Sequence, residues 1–166
     1  MNDAHLHLIV NHFPIVGPIL GLLVLMGGIF FKNVPIKNTA YFLFIIASVF
    51  AVFSMSTGEG AEEVVENIPG FSKQLVHEHE ELAEKLAIIL YLLGVVSVFG
   101  IISNIKNHPK AVFFSYAIAV IAIVAIFFGT KVGTSGGEIR HTEIRDTTVN
   151  LIETSDSQLS TEHQEE

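Results

Sequence analysis

The chain has 166 residues, enough for one domain. Half are hydrophobic and 16% are charged, against about a quarter charged in ordinary soluble domains. With no cysteine and a net charge of −8, it has no disulfide framework, thiolate metal site or Cys nucleophile, and nucleic acid is not an expected partner.

The apolar residues fall in four blocks. The first, Leu6–Phe31, contains no Lys, Arg, Asp or Glu. It is too long for a signal-peptide h-region, has no basic n-region before it and no A-x-A site after it, so it is read as a retained helix. Asn11 can cap a helix whose first turn holds Pro14. Pro18 lies inside the helix and is expected to kink it. Gly17, Gly21, Gly27 and Gly28 would let a neighbouring helix approach closely. The second block is Ala40–Met55, the third Leu86–Ile105 and the fourth Ala111–Thr130. A spanning helix needs about 20 mostly apolar residues. Three blocks reach that length, and the second does so with Thr39, Ser56 and Thr57. In the fourth, Ala122, Ala125, Gly129 and Gly133 form another small-residue stripe, read as a packing surface.

The spacing predicts an all-α, four-transmembrane-helix bundle in the lipid bilayer. The helices run over about 6–31, 39–57, 76–105 and 110–131. Residues 1–141 form the membrane domain, and 142–166 form an acidic, flexible tail. A short surface helix is expected within Glu59–Pro69. The turns Lys32–Asn38 and Asn104–Lys110 carry Lys32, Lys37, Lys106 and Lys110 and no acid. The positive-inside rule places them in the cytoplasm and both termini outside. The segment Gly58–Lys85 and the tail from Glu138 carry eight acids each, so the acidity is extracytoplasmic. No ionisable residue lies near the middle of a helix, as pumps and ion-coupled transporters require. No nucleophile–base pair or buried carboxylate pair can be placed, so no catalytic activity of its own is expected.

The histidines gather at one end. His5, His7 and His12 precede or open the first helix, His77 and His79 open the third, and His141 follows the fourth. On a helix, Leu75, Leu82, Ala83 and Leu86 surround His79, while His77 falls with Lys73, Glu81 and Glu84 on the polar face. His12 lies among apolar residues at a depth similar to that of His79. Opposed imidazoles from two helices are the geometry that ligates a b-type haem in a bundle. The alternative is copper or zinc held by the same imidazoles with Glu80, Glu81 or His141. A purely structural accessory subunit, with these histidines only hydrogen-bonded, is the third reading. His5, His7 and His77 read as solvated or capping residues. Gly-rich sequence after Gly129 could end the helix and fold His141 back toward His12 and His79.

N-H-F-P-I at Asn11–Ile15, S-T-G at Ser56–Gly58, His79, and G-x-x-x-G-x-x-G-G-E-I at Gly129–Ile139 together resemble a bacterial four-helix membrane domain family of unknown function. The resemblance covers roughly Leu6–His141. Relatives of that family are joined to c-type cytochrome or Rieske iron–sulfur domains. The resemblance therefore implies a bacterial cytoplasmic-membrane protein in respiratory electron transfer. It implies functional roles for His12, Pro14, His79, Gly136 and Gly137. This chain has no C-x-x-C-H and no Rieske ligands, so its electron partner, a cytochrome or a quinone-linked protein, would be separate. Homo-oligomerisation is left open.

Overall fold

The computed structural model describes residues 2–65 and 72–145. Five helices follow in order: α1 Asp3–Val10, α2 His12–Phe30, α3 Val34–Val65, α4 Lys73–Ile105 and α5 Ala111–Arg140. A 3-10 turn, Thr142–Ile144, ends the described chain. No strand occurs among the described residues. Helices α1 and α2 together make one candidate span, and α3, α4 and α5 make three more, each long and apolar enough to cross a membrane. The protein is a multi-pass membrane bundle in which each helix packs on the next and α2 closes the ring against α5.

Proline chemistry explains the break at Asn11. Pro14 has no N–H for the Val10 carbonyl, and its ring crowds that carbonyl. The regular helix therefore stops at Val10 and resumes at His12. Asn11 keeps helical φ and ψ, and its N–H still reaches the His7 carbonyl at 3.0 Å. Pro18 is buried inside α2 without ending it.

The two lysine-rich turns share one design. Lys32 and Asn107 adopt φ of 52° and 48°. In each turn a residue in that left-handed conformation lets the next N–H reach back five residues: Asn33 to Gly28 and His108 to Ser103, both at 2.9 Å. Asn33 then caps α3, its Oδ1 accepting from the Ile36 N–H at 3.0 Å. Pro35 sits in the first turn, where its missing N–H costs nothing. Helix α3 thus starts at Val34, five residues before the sequence expectation. It also runs on to Val65, past Glu59. The rest of the expected surface helix, and the tail from 146, lie outside the described residues.

The core is made by small residues letting large ones in. Leu25, Tyr41, Phe44, Leu90, Leu93 and Ile118 are fully buried. A methyl group added at Gly21 would sit 2.5 Å from the Phe44 ring, and one at Gly94 would sit 2.6 Å from Ser48. Gly17 and Gly28 press as closely on Ala47 and Lys37. Gly27 differs, because nothing lies within 4 Å of that position. In α5, Ala122, Ala125 and Gly129 are buried, and Gly129 meets Ile15 of α2.

Candidate functional site

At the end of the bundle that carries the N-terminus, all four spans contribute to one polar cluster. From α1, His7 turns inward and its Nδ1 lies 3.0 Å from the Ser54 carbonyl of α3. A carbonyl can only accept, so this bond fixes the proton on Nδ1. The Thr57 hydroxyl lies 3.4 Å from the same nitrogen, while its own proton reaches the Phe53 carbonyl at 2.9 Å. From α4, His79 places Nδ1 3.0 Å from Ser135 Oγ of α5. Ser135 donates its hydroxyl proton to the Val132 carbonyl at 3.1 Å. Its oxygen is therefore left to accept, and His79 also donates through Nδ1.

Both imidazoles thus carry a proton on Nδ1 in this arrangement, and in the neutral ring the lone pair is then on Nε2. A metal-binding histidine takes this form, since its second ring nitrogen donates to a carbonyl or hydroxyl that fixes the ring.

Glycines on the neighbouring helices admit the rings. A methyl group at Gly58 would meet His7 Cε1 at 3.5 Å, and one at Gly136 would crowd His79 Cε1 at 3.0 Å. Gly137 instead admits Ile144 at 3.1 Å, where the 3-10 turn folds back on α5. Arg145 secures that turn: Nε donates to the Glu138 carbonyl at 2.7 Å and Nη2 to that of Ile139 at 3.0 Å. A cation over the last carbonyls of a helix is also favoured by the helix dipole.

The other sequence candidates fall elsewhere. His12 opens α2 and is exposed, whereas His7 is partly buried. Pro14 is buried one turn into α2 and acts by ending α1 just past His7. His77 is exposed, 3.8 Å from Glu80 and 3.6 Å from Glu81. His5 is exposed at the start of α1, its N–H bonded to Asn2.

His141 is not folded back over the bundle. Helix α5 continues through its glycines to Arg140, so His141 stands about 9 Å of helix rise beyond Ser135. Its Nδ1 meets the Glu143 carboxylate at 2.8 Å at the surface. The Glu143 carboxyl is held below the usual carboxylate range, first by its own backbone N–H and then by His141. Among the described residues, no three His, Asp or Glu side chains are grouped to hold a metal ion.

Searched against known proteins, the chain matches no family model, no curated protein and no solved structure. The S-T-G element supplies Thr57 and Gly58 beside His7, and the Gly-Gly element supplies Gly136 beside His79. His7 was hidden in the sequence by its place two residues from His5, among apolar neighbours that suit either face. One signal was available: Pro14 marks where the helix must break, which changes which side of the first segment faces inward.

Proposed function

We propose that this protein is a small respiratory membrane subunit that holds a b-type haem between His7 and His79. The observation that carries this reading is the matched pair of imidazoles, each anchored through Nδ1–H and each offering Nε2. Two protein ligands is the number a haem iron takes when its other four positions are filled by the macrocycle. Zinc sites use three or four protein ligands. The donor set therefore suits haem better than a bare ion. Helix α1 packs chiefly on α3.

When bound, such a haem supplies one-electron transfer. The chain's own residues hold and orient it: Ser54 and Ser135 fix the rings, and Gly58 and Gly136 admit them. The four lysines of the short turns support an orientation with this end of the bundle on the extracytoplasmic side of a bacterial cytoplasmic membrane. The electron partner is a separate cytochrome or quinone-linked protein, in keeping with the resemblance to the four-helix domain family.

The test is an absorption spectrum of the detergent-purified protein, oxidised and then dithionite-reduced, with metal analysis of the same sample. The expected result is a six-coordinate b-type spectrum with about one haem per chain, as two axial imidazoles allow. Stoichiometric copper or zinc without haem would replace haem with an ion. Neither, after growth with added haem precursor, would overturn the reading and leave a structural subunit.

A further inference from the structure

We propose that a groove between α4 and α5 at the histidine end binds the headgroup of a phosphoethanolamine-type phospholipid. This proposal needs only the membrane-spanning fold and is independent of any cofactor. The groove has a volume of about 390 Å³ and is lined by Glu78, Leu82, Thr130, Lys131, Thr134 and Glu138, with Ser135 in its wall. It brings together one cation and two carboxylates, ordered along the bundle axis.

Lys131 follows directly on the fourth apolar block, at the level where hydrocarbon gives way to headgroups. A lysine at that depth commonly extends toward water. Here Nζ instead turns back over the Phe127 ring, 5.2 Å from its centroid, one turn nearer the bilayer centre. Below it Phe127, Ile123 and Val120 are exposed along α5 and form an apolar strip for an acyl chain. Glu138 lies seven residues farther out, about 10 Å of helix rise. Glu78 approaches from α4, its Oε1 held by the Gln74 amide at 2.9 Å.

From the bilayer centre outward, the order is apolar strip, ammonium, carboxylates. A phosphatidylethanolamine has the complementary order: acyl chain, phosphate, ammonium. Phosphate would meet the Lys131 ammonium, the Thr130 and Thr134 hydroxyls being already donated to the Phe127 and Thr130 carbonyls, and the lipid ammonium would donate to Glu78 and Glu138. Phosphatidylglycerol offers the carboxylates no cation. Phosphatidylcholine offers them a cation without N–H donors. Inorganic phosphate brings only a charge that the carboxylates repel.

The experiment is native mass spectrometry of the delipidated full chain, titrated separately with phosphatidylethanolamine, phosphatidylglycerol, phosphatidylcholine and inorganic phosphate. The expected result is binding of phosphatidylethanolamine about tenfold tighter than the other lipids, the scale of one charge-assisted contact. K131Q should weaken all three lipids. E78Q with E138Q should remove the preference by weakening phosphatidylethanolamine, without weakening phosphatidylglycerol. Circular dichroism checks that each variant stays folded, and the single variants E78Q and E138Q stand in if the double does not. Equal binding of the three lipids by the unaltered chain would overturn the proposal. So would a preference that survives loss of both carboxylates, or phosphate alone competing with the lipid.

Discussion

Ser135 shows how one side chain can decide what two others do. By giving its proton to the Val132 carbonyl and its oxygen to His79, it selects the tautomer of that imidazole. Ser135→Ala removes this acceptor and leaves the partly buried His79 ring with the Val132 carbonyl, a loss of about 1 kcal/mol. Thermal unfolding in detergent should show that loss, and the imidazole nitrogen shifts of His79 should move. Ser135→Thr keeps the hydroxyl and should restore the tautomer, read from the imidazole nitrogen shifts. Alanine with unchanged shifts would contradict the role assigned to Ser135. Gly136 acts on the same ring by absence: a methyl group there would press on His79 Cε1 at 3.0 Å.

At the scale of the helices, glycines in one apolar run have opposite consequences. Gly21→Ala drives a methyl group into the Phe44 ring and should destabilise by about 1–3 kcal/mol through overpacking. Gly27→Ala meets open space and should be neutral or stabilise by up to about 1 kcal/mol, the difference in helix propensity. Unfolding of the two variants side by side in one detergent checks the contrast in sign.

The spans themselves were legible, because four uncharged runs of this length have few other uses. The extra turns at their ends were not. Helix α3 begins at Val34 because Asn33 caps it and Pro35 suits a first turn, a signal weaker than hydropathy. Helix α5 crosses its glycines because Ile15, His79 and Ile144 pack against them, and packing rather than propensity decides helix length. The inward turn of His7 was missed for a related reason. Apolar neighbours mark the buried face of a helix in water, but in a bilayer they also mark the face toward lipid. Leu8, Ile9, Phe13 and Val16 are all exposed, and His12 shares that outward surface. The inward position of His79 could be inferred because its stretch of α4 still has a charged face to compare.

Across the whole molecule, large apolar side chains cover the outside of the ring. Leu23 is 66% exposed and Phe30 78% exposed. A continuous surface of this kind would aggregate in water and is matched only by lipid. The charges sort by end, with four lysines in the two short turns and acids concentrated at the other end. Because the chain has no cysteine, its orientation can be measured with one introduced residue at a time. Asn107→Cys should react with a membrane-impermeant maleimide only after the cells are opened, and Asn2→Cys should react in intact cells. The reverse pattern would turn the bundle over and place the histidine cluster in the cytoplasm.

The central claim is that His7 and His79 together hold the cofactor. Low-temperature electron paramagnetic resonance of the oxidised protein tests it most directly, on the unaltered chain and the variants His7→Ala, His79→Ala and His12→Ala. The account predicts a low-spin, bis-imidazole ferric signal in the unaltered chain and in His12→Ala. It predicts loss of that signal, or conversion to high spin, in His7→Ala and in His79→Ala. A signal that survives His7→Ala and disappears in His12→Ala would contradict the account.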